Sequence, residues 1–182
     1  MAYIPLVLVV VLIAWFVAAY NKLVRFRNQI KNAWHQIDVQ LKRRYDLIPN
    51  LVEVVKDYMS YEQETLTKVI EARGAALSAK GPAAQAKAEG VLTETLKSLF
   101  AVVENYPELK ANRNVASLQE ELTGTENKIS FARQFYNDSV MTYNNAIQSI
   151  PTNVIASFFN FSQEAYFETE PESRAVPKAN LR

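Results

Sequence analysis

The sequence predicts an all-α protein, with a single N-terminal transmembrane helix that continues into a long antiparallel helical bundle. Three observations predict it. The 182 residues include only 4 Gly and 7 Pro, too little punctuation for a succession of tight hairpins. Apolar residues recur three and four apart over most of the chain, the period of a helix face and not of a strand. Between Met1 and Asn21 there is no charged side chain. The expected divisions are a transmembrane anchor over 1–21, a helical bundle over 22–168 and a flexible tail over 169–182.

Tyr3 to Tyr20 reads YIPLVLVVVLIAWFVAAY, close to the ~20 apolar residues needed to cross a hydrocarbon core. Trp15 and Tyr20 near one end and Tyr3 at the other are placed as amphipathic rings are at headgroup level. A cleavable signal peptide is the alternative, with Ala18 and Ala19 as small residues, but the positive flank that normally precedes such a segment is missing. Basic residues follow the span and none precedes it: Lys22, Arg25, Arg27 and Lys31 all come before the first acid, Asp38. The positive-inside bias puts the N-terminus outside and the bundle in the cytoplasm. The same four cations are candidate contacts to anionic lipid headgroups, or they only set topology.

Beyond the membrane exit, Ile30, Trp34, Ile37, Leu41, Tyr45, Ile48, Val52, Val55 and Met59 form one helical stripe. The stripe keeps its phase across Pro49, which predicts a kink and not a turn. Weaker periodicity through Leu66, Val69 and Ile70 carries the expected helix to about Ala79, roughly 85 Å of stalk at 1.5 Å per residue. The AKGPA segment at 79–83 then reverses the chain. A second helix is expected from about Ala84 to Tyr106 through Leu92, Leu96, Leu99 and Val103, closed by Pro107. A third begins with Asn114 as cap and carries Val115, Leu122, Ile129, Tyr136, Val140, Tyr143 and Ile147 as far as Pro151. Gly124 inside it costs about 1 kcal/mol relative to Ala, which a close helix contact, a ligand or simple tolerance accounts for. The aromatic-rich tail, with Ile155, Phe158, Phe159, Phe161, Tyr166 and Phe167, is expected to be covered: as a terminal helix on the bundle core, a second membrane contact or a protomer interface.

Twenty Lys and Arg stand against 19 Asp and Glu, a net charge of +1, which argues against a nucleic-acid binder. With no Cys and a single His, disulfides, thiol nucleophiles and thiolate or multi-histidine metal centres are excluded, and no metal or cofactor is expected. No G-x-S-x-G, P-loop or G-x-G-x-x-G occurs. His35 and Asp38 share a helix face, but nothing nearby supplies a nucleophile, so no catalytic residue is assigned. One polar constellation stands out. Glu126, Arg133, Asn137 and Asn144 follow one stripe beside the apolar seam of the third helix, with Asn28, Asn32 and Asp38 as candidate partners on the first. Such a network fixes helix register or forms a protein-binding surface. Tyr136-Asn137 and Tyr143-Asn144 repeat one heptad apart and are expected to pack half-buried along the bundle, the alternative being a repeated contact strip for self-assembly.

The stretch from Tyr20 to Tyr58, YNKLVRFRNQIKNAWHQIDVQLKRRYDLIPNLVEVVKDY, resembles the signature of the bacterial LemA family. So does ENYPELKANRNVASLQEELTGTENKISFARQFYNDSVMTYNNAIQSIP, from Glu104 to Pro151. Where the family's tail has FP before its N-x-I segment and GF after it, this chain has Ile150-Pro151 and Asn160-Phe161. The resemblance implies an antiparallel bundle anchored in a bacterial membrane, with no accepted catalytic residues to carry over. It also implies a link to membrane organisation, including a relative at magnetosome membranes, and to an occasional membrane metalloprotease neighbour. The expected function is a non-enzymatic scaffold that self-assembles and organises or remodels the bilayer, its partners being lipid and further copies of itself. The alternative is an adaptor or regulator of a membrane protease or sensor kinase.

Overall fold

A computed structural model describes residues 3–59 and 61–167; the tail expected over 169–182 lies outside them. Among the described residues six helices follow in order: α1 (Tyr3–Lys56), α2 (Gln63–Ser78), α3 (Pro82–Val103), α4 (Pro107–Lys110), α5 (Arg113–Gln148) and α6 (Thr152–Phe158). Among the described residues there is no strand. The anchor segment and the start of the bundle belong to one uninterrupted helix. Two compact units result, one from residues 3–39 and 129–166, the other chiefly from 40–128.

In the first unit, α1 contributes Leu23, Ile30, Ala33 and Ile37 to the core, and α5 contributes Ile129, Tyr136, Val140, Tyr143 and Ile147. Trp34 meets Tyr136 edge-on, ring centroids 5.4 Å apart. α6 turns Ile155 and Ala156 inward and leaves Val154 and Phe158 at the surface. Its end is a Schellman turn: Phe161 N–H donates to Ala156 O at 2.9 Å, and Asn160 N–H to Ser157 O at 3.3 Å. Asn160 sits at φ 55, the left-handed region that glycine favours and asparagine tolerates better than most residues. Asn160 thus takes this left-handed position where the resembled tail pattern has glycine.

The second unit corrects the first helix. Its expected end near Ala79 is too late: α1 stops at Lys56, and α2, from Gln63, runs back antiparallel. Arg73 shows this, because its Nε–H donates to the carbonyl oxygen of Tyr45 at 2.8 Å. That carbonyl is the one Pro49 strands, since proline has no N–H to give to the residue four before it. Supplied from α2, the missing donor lets α1 pass through Pro49 without a break. α2 and α3 pack together and bury Leu66, Val69, Ala72 and Ala76 with Ala86, Leu92, Leu96 and Leu99. The predicted reversal between them holds, with Gly81 at φ 82 followed by Pro82 in the first turn of α3.

α3 ends at Val103, and the connection contains the single turn α4. The cap of α5 is Asn112, not Asn114: its Oδ1 accepts the backbone N–H of Asn114 at 2.9 Å. A Cβ placed on Gly124 would meet nothing within 4 Å, so no close helix approach requires glycine there.

Candidate functional site

Three arrangements carry chemistry. The first is the apolar start of α1. No residue of its 18-residue apolar window is buried, and Leu6, Val10 and Ile13 are each more than half exposed. A core helix of a soluble domain would bury such a face, so the stretch is a candidate membrane span. Where it ends, aromatic rings gather. Phe159 lies 5.9 Å from Phe16 and 4.7 Å from Tyr20, and Phe158 stands edge-on to Phe159 at 5.0 Å. Of the four basic residues after the span, Lys22, Arg25 and Lys31 are exposed, whereas Arg27 is half-buried with its guanidinium 5.2 Å over the Phe161 ring.

The second arrangement holds the chain after α6 against α5. Asn144 clasps the main chain of Glu164 with both ends of its amide, accepting from the N–H and donating to the carbonyl, each at 3.0 Å. Tyr136 donates its hydroxyl to Ala165 O at 2.9 Å. Both Tyr136 and Tyr143 are buried, more deeply than the half-buried packing expected of them. Phe161 and Phe167 are also buried, Tyr166 is partly exposed, and Phe158 is 76% exposed.

Burial, reinforced by the Glu164 charge, pushes the Tyr136 pKa up to about 12 and moves Tyr143 in the same direction. A folded-state pKa above the ordinary value near 10 adds stability that is complete below that value and is lost as pH rises toward 12. Alkaline titration should therefore release phenolate absorbance together with loss of helical circular dichroism above about pH 10. In Tyr136→Phe the alkaline loss should be shallower.

The third is a buried ionic cluster in the second unit. Arg44 and Glu89 are 3% and 0% exposed and meet at 3.0 Å. The same guanidinium reaches Glu126 at 2.6 Å and donates to Thr93 Oγ1 at 2.9 Å. The Tyr45 hydroxyl donates to the other oxygen of Glu89, and Gln85 Nε2 donates to the Tyr45 oxygen at 2.8 Å. Burial first, then the bond to Glu89 and its charge, drives the Tyr45 pKa far above the usual phenol range, with Arg44 and Gln85 opposing. α1, α3 and α5 are thus joined at one level. A slip of any one of them would leave a charge without its counterpart.

Of the polar residues singled out from sequence, Glu126 enters this cluster and Asn144 forms the clasp, while Arg133 and Asn137 are half-buried on α5. Asn28, Asn32 and Asp38 lie on the exposed side of α1, and Asp38 faces His35 at 4.0 Å. The pairing of Arg44 with Glu89, the centre of the buried ionic cluster, was not read from the sequence. Their signal was legible: Arg44 falls in the stripe Ile37, Leu41, Ile48, Leu51, and Glu89 in the stripe Ala86, Leu92, Leu96. Charges of opposite sign in two apolar stripes point to a buried pair.

Taken together, these features define an all-helical protein with, among the described residues, one candidate membrane span and internal polar ties. The chain belongs to the LemA family, whose model matches residues 33–180. It is 25% identical over 169 residues to Protein LemA of Metamycoplasma hominis, spanning 92% of this chain and 77% of that one. It is also 25% identical over 189 residues to Magnetosome protein MamQ 2 of Paramagnetospirillum magneticum, spanning 90% and 70%. Neither name is that of an enzyme.

Proposed function

We propose that the protein is a membrane-anchored, non-enzymatic scaffold that self-assembles and organises the bilayer around it. The observation that carries this reading is the unburied apolar window on the same helix that builds the core of both units. Span and folded part share one backbone with no linker between them, so forces on one reach the other. The likeness to proteins named for magnetosomes supports an organising role. Outside the span, Phe131 at 72% exposure and Val39 at 63% leave apolar surface for contact between copies. The charge asymmetry across the span supports an outside N-terminus and a cytoplasmic folded part.

The full chain, reconstituted in lipid nanodiscs and in several mild detergents, is expected to have a mass of more than one copy by light scattering. A strict monomer in all of them would overturn self-assembly. Recovery of one stoichiometric foreign protein with the anchored chain would favour the adaptor instead.

A further inference from the structure

We propose that α6 is a second lipid contact, an apolar wedge whose Val154 and Phe158 enter the membrane interface beside the span. The proposal rests on the anchored reading above. Depth along α1 supplies the argument. At 1.5 Å per residue, Tyr3 to Tyr20 extends about 27 Å, close to the ~30 Å of a hydrocarbon core. Phe16 then lies about 6 Å inside the boundary that Tyr20 marks. The Phe159 ring touches both, at 5.9 and 4.7 Å, so the end of α6 is held where acyl chains meet headgroups.

The face that α6 presents is suited to that depth. Val154 and Phe158 are one helical turn apart, 69% and 76% exposed, and Ile150 just before the helix is 85% exposed. The opposite face buries Ile155 and Ala156 against the unit, so α6 is fastened from behind. Lys22 and Arg25, exposed on the next turns of α1, supply the cations that interfacial elements place at headgroup level. Packing against a second copy would also cover Val154 and Phe158. Lipid is the better occupant because the rings that hold the tip belong to the span itself, and at that depth the surroundings of the span are lipid.

The test places a single tryptophan at this tip in the full chain. Phe158→Trp is combined with Trp15→Phe and Trp34→Phe, reconstituted in vesicles of zwitterionic and anionic phospholipid, and read by quenching from lipids brominated near the headgroup end of the acyl chain. Two reference proteins accompany it: Trp34→Phe alone, which reports from Trp15 in the span, and Phe131→Trp with both native tryptophans replaced, which reports from α5. Phe158 is exposed and its replacement is aromatic, so the fold is retained. The expected result is a loss of about half the emission for Phe158→Trp, with little change for Phe131→Trp.

If Trp15 is quenched and Phe158→Trp is not, the anchor stands and the wedge is overturned. A blue shift of Phe158→Trp that grows with protein-to-lipid ratio and ignores bromine would assign the face to a second copy and also overturn it. If Trp15 itself escapes quenching, the anchored reading fails and takes the wedge with it.

Discussion

Replacing Arg44 with methionine is expected to destabilise the protein by about 3–5 kcal/mol, because it leaves the fully buried Glu89 carboxylate without its cation. Three contacts vanish at once: those to Glu89, Glu126 and Thr93. The Tyr45 hydroxyl and the Gln85 amide still reach Glu89, but neither carries a charge. At roughly 2–4 °C per kcal/mol for a chain of this size, the melting temperature in mild detergent should fall by about 10 °C. Adding Glu89→Gln should restore much of the loss, since the amide keeps an acceptor for Tyr45 and removes the unpaired charge. A single variant that melts within a degree or two of the parent, or a double variant no better than the single, would show that the pair does not hold the unit together.

Asn144→Ala is expected to cost about 2–3 kcal/mol, and the cost should be local. It removes the partner of both main-chain groups of Glu164, which Asn144 satisfies with its two amide ends. Hydrogen exchange is the suitable measurement: the Glu164 amide should lose its protection, while amides of α5 on either side keep theirs. Asn144→Asp discriminates further. It retains the acceptor for Glu164 N–H but sets a carboxylate against the Glu164 carbonyl, so it should loosen the segment almost as much as alanine. Unchanged exchange at Glu164 in both variants would mean that Phe161 and the Tyr136 bond hold the segment by themselves.

Most of the helical architecture was legible in the sequence because burial follows spacing. Ile30, Ile37, Leu41, Tyr45, Ile48 and Val55 are buried as the stripe on α1 requires. The end of that helix was not legible, and the reason is arithmetic. Met59, Leu66 and Val69 are buried seven and three apart, so the apolar phase continues past the turn between α1 and α2 as it would along one helix. No Gly or Pro marks that turn, while the Pro that is present sits inside the helix. The polar ties divided in the same way. Asn144 was legible beside its seam, but its partner is a main-chain group, which no side-chain pattern announces. Arg44 was hidden in plain spacing, since a cation in an apolar stripe reads as an interruption until its counter-charge on another helix is known.

The bond from Arg73 to the carbonyl that Pro49 strands imposes an order of events on the growing chain. Residues 45–56 emerge from the ribosome ahead of residue 73, so for that interval α1 has a gap in its ladder near Tyr45 that only water can fill. The last turns of α1 become fully bonded when α2 has been made and has folded back. Proline thus couples the completion of one helix to the arrival of the next, and a nascent chain halted between the two would hold a frayed end where the finished protein has a continuous one.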